Sequence, residues 1–218
     1  MNEVTADLIL HAYAQGIFPM AETAASDDIY WVDPEMRGII PLADFHLSRK
    51  LARKIRQTPF EVRIDTCFNG VIEGCAASMA AQGRNETWIN NQIISLYGQL
   101  FERGFVHTVE CWQEDRLVGG LYGVAIGGAF CGESMFHRVT DASKVALAYL
   151  VARLKVGGYC LLDTQFITPH LSQFGAREIP RHNYRMHLAQ ALDTEGDFYS
   201  LAVTSGPERI LQSLTHTS

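Results

Sequence analysis

The chain has 218 residues, of which 47% are hydrophobic and 19% charged, and its 18 basic and 24 acidic side chains give a formal net charge of −6 at pH 7. This is ordinary globular composition, which argues against a disordered, collagenous or coiled-coil chain. No apolar run reaches the roughly 20 residues of a membrane span, and the first residues lack the features of a signal peptide, so we expect a cytosolic protein. We also expect a monomer.

The first half of the chain is predicted to be mostly helical. Apolar periodicity and stop signals predict helices at residues 4–14, 48–57, 66–82 and 90–103. Short strands are predicted at 29–32 and 60–64, and the residues between Gly16 and the first of these strands are predicted to form a loop.

The second half begins with three strand-like runs at hairpin spacing, which predict an antiparallel meander at residues 106–113, 117–126 and 129–136. An apolar helix at 143–155 with Ser143 as N-cap, strands at 159–166 and 176–180, and a helix from about Asn183 complete the pattern. This order predicts an α+β fold with a GNAT-like acyltransferase core, by analogy of fold. We expect a small N-terminal α/β domain at 1–60, the catalytic domain at 61–192 and a mobile tail at 193–218.

The helix predicted at residues 48–57 gathers five of the 18 basic residues, and no Asp or Glu occurs between positions 46 and 60. Its cations are Arg49, Lys50, Arg53, Lys54 and Arg56. At 100° per residue, Leu47, Leu51 and Ile55 fall on the opposite side of the helix. Because the cations have no acid nearby to neutralise them, the pattern favours binding of a polyanion, with nucleic acid ahead of a membrane surface or a plain solvated helix.

Three polar residues interrupt apolar strands, and they are candidates for acid–base chemistry or cation binding. Asp163 and Gln165 share one face of the strand "LLDTQF", and Glu133 lies in "FCGESMF". A carboxylate among apolar neighbours has either a raised pKa or a paired cation. The structural alternative is that Glu133 and Asp163 pair with arginines such as Arg138 or Arg177.

Other site chemistries have weaker support. The five cysteines are widely spaced without a C-x-x-C pair and the eight histidines are scattered, so neither a disulfide framework nor a metal site is predicted. No G-x-S-x-G motif occurs, and Cys131 has no assigned histidine partner, so a nucleophilic hydrolase is not supported.

Several longer blocks of sequence carry a resemblance to a known family. They are "AYAQGIFPM", "HLSRKLARK", "VIEGCA", "TWI", "LVGGLYGVAIGGAFCGESMFHR", "ASKVAL", "LLDTQF" and "HLSQFGAREIPR". In order and wording, from about Leu8 to Leu192, they resemble the leucyl/phenylalanyl-tRNA-protein transferases. The resemblance implies transfer of Leu, or less often Phe, from aminoacyl-tRNA to the α-amino group of proteins that begin with Arg or Lys, which marks them for degradation. It implies no metal or nucleotide cofactor.

The resemblance also implies roles for particular residues. Asp163 and Gln165 match the family's catalytic D-x-Q strand, and we expect Glu133 to bind the cationic N-terminal residue of the acceptor protein. The basic helix matches the family's tRNA-binding cluster. Because the donor side chain needs an apolar pocket, we add three candidates from neighbouring strand positions, Leu121, Phe130 and Ile167.

One departure from the family concerns the 3′ adenosine of the tRNA. Well-studied members hold this base between two tryptophans, and the present chain has Met20 in the first position and Trp88 in the second. A thioether can pack on a base but offers less area.

Two rival functions remain. One is a CoA-dependent N-acetyltransferase, and the segment "HRVTDASK" argues against it because this segment contains no glycine-rich phosphate loop. The other is a non-catalytic tRNA-binding module.

Overall fold

The structure is a computed structural model that describes residues 4–23, 26, 28–81 and 88–215, with the backbone alone for 79–81. Its helices are α1 (Ala6–Ala14), α2 (Arg49–Arg56), α3 (Phe68–Ala81), α4 (Asn91–Glu102), α5 (Ala142–Val156), α6 (Pro169–Ser172), α7 (Arg181–Leu192) and α8 (Pro207–Thr215). Its strands are β1 (Phe18–Ala21), β2 (Ile29–Val32), β3 (Met36–Ile39), β4 (Glu61–Ile64), β5 (Val106–Gln113), β6 (Arg116–Ile126), β7 (Ala129–His137), β8 (Leu161–Gln165) and β9 (Arg177–Pro180). The predicted α+β class is confirmed.

A seven-stranded mixed sheet in the order β4-β5-β6-β7-β8-β3-β9 forms the centre of the molecule. The predicted meander β5-β6-β7 is confirmed, and β7 pairs with β8 in parallel while the other neighbours are antiparallel. Glu114 and Asp115, which join β5 to β6, have φ values of 49° and 56°, and this conformation suits a tight hairpin.

Helices cover the sheet with two apolar clusters. Residues of α5 pack into one cluster with the C-terminal segment, and residues of α1, α3 and α4 pack into the other. The α5 helix is apolar all round because it contacts strands β5, β6 and β7 as well as α8. Ser143 is not its N-cap, because the helix begins at Ala142 and Ser143 lies inside it. The N-cap position is occupied by Asp141, which has φ 71° and makes no side-chain cap hydrogen bond.

The N-terminal segment contains two strands that the sequence did not predict. β1 pairs with β2 as a separate hairpin, where a loop was expected. β3 lies between β8 and β9 in the large sheet, so a strand of the predicted N-terminal domain is part of the sheet of the predicted catalytic domain.

The C-terminal segment is ordered and packed, so the expectation of a mobile tail is wrong for the described residues up to 215. The buried guanidinium of Arg153 donates from Nη1 to the carbonyls of Phe198 at 2.8 Å and Leu201 at 2.6 Å. Ile210, which is 1% exposed, belongs to the same apolar cluster as α5 and the buried side of α2. Helix α8 therefore packs with the buried side of the basic helix in one apolar cluster.

Candidate active site

Asp163 lies at the centre of a buried hydrogen-bonding network. Its carboxylate accepts from Nε of Arg37 at 2.9 Å and from Nη2 at 2.6 Å, and the hydroxyl of Tyr184 donates to it at 3.0 Å. Asp163 is fully buried and Arg37 is 1% exposed. Burial opposes the charge on Arg37, but Asp163 raises the pKa of the guanidinium, so this group stays charged.

Gln165 follows Asp163 in a sharp local turn. Its backbone has φ 56°, which is the left-handed region, and its N–H donates to the Asp163 carboxylate at 2.8 Å. An aspartate that accepts the N–H two residues on forms an Asx turn, which explains the D-x-Q spacing in physical terms. The turn interrupts the regular strand, so Asp163 contacts Arg37 while Gln165 reaches Glu133.

Glu133 joins Gln165 to a pair of buried tyrosines. Gln165 Nε2 donates to Glu133 at 3.2 Å, Tyr97 donates to the other carboxylate oxygen at 3.3 Å, and the hydroxyls of Tyr97 and Tyr13 are 2.5 Å apart. Burial raises the pKa of Glu133 to about 8, and the charge of Asp163 adds to this effect. Hydrogen bonding by Tyr13 and Tyr97 acts in the opposite direction. The site thus holds a carboxyl group that titrates close to neutral pH.

The amide orientation of Gln165 follows from this contact. When Glu133 is ionised, its carboxylate accepts hydrogen bonds, so the group that faces it is the Nε2 donor of the amide. The carbonyl oxygen Oε1 therefore remains as an acceptor for another group. This arrangement can hold an amine by one of its N–H bonds.

The structure brings together the three polar residues that the sequence singled out, but with unexpected partners. Asp163 pairs with Arg37, and not with Arg138 or Arg177 as the structural alternative supposed. Arg138 donates to the carbonyl of Leu117 at 2.8 Å, and Arg177 is exposed. Sequence reasoning missed Arg37, Tyr13, Tyr97 and Tyr184. The one signal for a partner was the need of a buried carboxylate for a cation.

The three residues proposed for the donor pocket do not meet. Leu121 and Phe130 lie in the cluster of α5, where Phe130 stacks on Phe198 with ring centroids 5.8 Å apart. Tyr97, the hydrogen-bond partner of Glu133, belongs to the other cluster. Ile167 lies elsewhere, beside the backbone of Gly38. Leu121 and Phe130 therefore project from the face of the sheet opposite to the face that carries Glu133. Side chains alternate between the two faces along a strand, and the bulge between β6 and β7 shifts this alternation.

The basic helix has the two-sided character that its sequence predicts. Ser48 is the N-cap and accepts from the N–H of Leu51 at 3.2 Å. Leu51 and Ile55 are buried, whereas the cations are exposed, apart from Lys54, which is half-buried. The guanidinium of Arg56 lies 3.5 Å from the carboxylate of Glu208 on α8, in an exposed pair that contributes little stability.

A cavity of about 140 Å³ extends this surface beyond the helix. Its lining includes Lys50 from α2 and Lys144 from α5, together with His46 and Ser48. Lys144 also pairs with Asp141 at 3.2 Å. Cations from two helices therefore converge beside the N-terminus of α2.

Met20 and Trp88, the two residues assigned to the adenosine, are both partly buried. Both pack against the same apolar cluster. Residues 82–87, which precede Trp88 in the sequence, lie outside the described residues. In the part of the chain that is described, no group of three or more His, Cys, Asp or Glu side chains is placed to hold a metal ion. Nor does any helix there have the length and apolar character needed to cross a membrane.

Comparisons with known proteins identify a family. The family model described as leucyl/phenylalanyl-tRNA protein transferase matches residues 39–189, and the model of the N-terminal domain of that transferase matches residues 2–35. Curated proteins named leucyl/phenylalanyl-tRNA–protein transferase are similar over nearly the whole chain. The protein from Caulobacter vibrioides (strain NA1000 / CB15N) is 55% identical over 214 residues, 98% of each chain. The protein from Ruegeria sp. (strain TM1040) is 54% identical over 215 residues, 99% of each. The protein from Phenylobacterium zucineum is 55% identical over 223 residues, 100% of each.

Among solved structures, the C-terminal domain of a putative lysylphosphatidylglycerol synthetase from Agrobacterium fabrum has a TM-score of 0.37 and 11% identity, and covers 96% of this chain and 68% of that one. A likeness at this level does not assign a fold.

Proposed function

This chain belongs to the leucyl/phenylalanyl-tRNA–protein transferase family, and we propose that its cluster of Gln165, Glu133 and Asp163 carries out the transfer by direct aminolysis. The enzyme moves an aminoacyl group from tRNA to the N-terminus of a protein. The observation that carries the proposed mechanism is the hydrogen bond from Gln165 to Glu133, which leaves the Gln165 carbonyl free to accept from an amine.

The reaction requires little covalent assistance because the aminoacyl ester is already reactive. The α-amine nitrogen attacks the ester carbonyl, a C–N bond forms, the C–O bond to the tRNA ribose breaks, and one amine proton ends on the ribose oxygen. The site must hold the neutral amine close to the carbonyl and aligned with it. Gln165 Oε1 meets this need by accepting one N–H of the amine.

Asp163 acts through Gln165 and is a positioning residue. Its carboxylate is surrounded by Arg37, Tyr184 and the N–H of Gln165, and it is fully buried, which leaves no path for contact with a substrate. It holds the left-handed turn that aims Gln165. Arg37 supplies the countercharge that allows a carboxylate to stay in this interior.

Glu133 accounts for selection of an acceptor with N-terminal Arg or Lys. A carboxylate has about four lone-pair sites, of which Gln165 and Tyr97 use two and hydrogen bonding by Tyr13 uses a third. The remaining site suits an N–H donor of a guanidinium or ammonium group. Since the pKa of Glu133 is raised to about 8, arrival of the cation favours its ionised form.

The donor tRNA is proposed to bind along α2, with its phosphates on the exposed face of that helix and its 3′ adenosine at Met20 and Trp88. The antiparallel meander followed by α5 and a strand parallel to β7 supports a GNAT-like core. Because the donor is an aminoacyl-tRNA, we propose a cytoplasmic location.

The test follows radiolabelled leucine from charged tRNA into a peptide that begins with Arg, beside the same peptide beginning with Ala. Transfer to the Arg peptide is expected, and Gln165→Ala should lower kcat by about 100-fold or more, in the range of a lost catalytic group. Gln99→Ala, which changes an exposed glutamine on α4, is the matched control and should retain full activity.

Equal transfer by Gln165→Ala would refute the role of that amide, while tRNA binding without any transfer by the unaltered enzyme would favour the non-catalytic module. Asp163→Asn should lower kcat with little change in affinity for tRNA. An unchanged kcat for this variant would contradict the positioning role.

A further inference from the structure

The β1–β2 hairpin presents an exposed tyrosine directly opposite Met20. In the register of the hairpin, Met20 is paired with Tyr30 and Pro19 with Trp31. Directly opposed residues of an antiparallel pair project on the same face, with Cβ atoms about 4.5–5.5 Å apart. The Tyr30 side chain, 47% exposed, therefore lies next to the thioether of Met20.

The face that carries Tyr30 is the face that leads to the catalytic cluster. Side chains alternate along a strand, so Phe18 projects on the same side as Met20. The guanidinium carbon of Arg37 lies 4.5 Å from the centre of the Phe18 ring, and Arg37 binds Asp163. Trp31, 38% exposed, projects on the opposite face.

The hairpin is also fixed to the segment that carries Trp88. Asn90 donates from Nδ2 to the carbonyl of Ser26 in the hairpin at 2.7 Å, and its Oδ1 accepts from the N–H of Ile93 at 2.8 Å as the N-cap of α4. Asn90 is 4% exposed, so this connection is buried. Trp88 precedes it by two residues and packs with Met20 on one apolar cluster.

We propose that Tyr30 stacks on the terminal adenine of the donor tRNA and supplies the aromatic surface that Met20 lacks. The inference rests on the proposed function, in which the 3′ end of tRNA enters beside Met20 and Trp88. Every base has a π-face, and a tyrosine offers a flat ring with only two side-chain torsions to fix. In this arrangement Met20 packs against the adenine, and the rings of Tyr30 and Trp88 also contact the base.

The test compares binding of two uncharged tRNAs, one with the complete 3′ CCA end and one lacking the terminal adenosine, by fluorescence anisotropy. Loss of one base–aromatic contact predicts that Tyr30→Ala weakens binding of the complete tRNA by about 5-fold or more, and leaves the shortened tRNA unaffected. Tyr30→Phe keeps the ring and should bind like the unaltered enzyme. Trp31→Ala removes an exposed ring from the other face and is the matched control.

Two results would overturn the proposal, namely unchanged affinity of Tyr30→Ala for the complete tRNA, or an equal loss for both tRNAs. Tyr30→Leu retains apolar bulk without a π-face and should match Tyr30→Ala, so restored binding in it would also contradict stacking. Failure of the proposed function looks different, because the unaltered enzyme would then not transfer leucine or would bind both tRNAs equally.

Discussion

Replacement of Arg37 by methionine tests the buried ion pair that supports the proposed active site. The change keeps most of the aliphatic stem but removes two hydrogen bonds to Asp163, one at 2.9 Å to the carbonyl of Gly16 and a long one at 3.4 Å to the hydroxyl of Tyr184. Asp163 retains the donors on Tyr184 and Gln165. Removing one partner of a buried pair costs about 3–5 kcal/mol, out of a typical total stability of about 5–15 kcal/mol.

For a chain of this size, about 2–4 °C of melting temperature is lost per kcal/mol, so Arg37→Met should melt about 6–20 °C below the unaltered protein. Thermal and urea unfolding measure the effect. Arg116→Met alters an exposed arginine and should change stability by less than about 0.5 kcal/mol. The double variant Arg37→Met/Asp163→Asn should lose less than the sum of the single changes, because no uncompensated charge remains buried. An Arg37→Met protein that melts within about 2 °C of the unaltered one would refute the dependence of Asp163 on this cation.

Three further predictions concern acceptor choice, tRNA binding and the C-terminal helix. The pKa of Glu133 is raised to about 8, and in the proposed role this residue binds a cation only when ionised. The ratio of kcat/KM for an Arg peptide to kcat/KM for an Ala peptide should therefore rise from about pH 7 to 9. Glu133→Gln should give a ratio that is low and does not change with pH. Arg53→Gln should weaken tRNA binding at low salt and reduce the slope of log affinity against log salt by about 1, as expected for a lost phosphate contact. Ile210→Ala should lower the free energy of unfolding by about 2–5 kcal/mol in urea titrations, since this side chain is 1% exposed.

Controls make these results specific. The peptide ratio cancels ionisation of the α-amine, which both peptides share, and an unchanged ratio across the pH range would remove Glu133 from acceptor selection. Arg116→Gln should leave the salt slope as it is, and an equal effect at Arg116 and Arg53 would argue against a defined tRNA surface on α2. A loss below about 1 kcal/mol for Ile210→Ala would show that α8 is not part of the core.

Local pattern predicted those elements whose formation depends on local chemistry. The meander was predictable because its alternating apolar runs are joined by short turns at Glu114–Asp115 and at Gly127–Gly128. The two faces of α2 followed from helical geometry, and buried Leu51 and Ile55 confirm them. Asp163 and Gln165 lie close together, as their spacing predicts, but an Asx turn joins them and they do not share one face of a regular strand.

Elements that depend on distant partners could not be predicted. β1 and β3 have four residues each, and Pro19 and Gly38 lower their strand propensity, so their pairing is decided by tertiary contacts. Arg37 is separated from Asp163 by 126 positions, and nothing in its neighbourhood marks it as a counterion. The left-handed backbone of Gln165 is likewise invisible in the sequence, because non-glycine residues seldom adopt it.

The position of β3 between β8 and β9 has a kinetic consequence. Contacts between residues far apart in sequence form slowly, since a long loop must close before any stabilising contact is gained. The Arg37–Asp163 pair requires residues from both halves of the chain, 126 positions apart. The site proposed for transfer therefore forms only when the sheet closes, and recovery of transfer activity on refolding reports closure of the whole sheet.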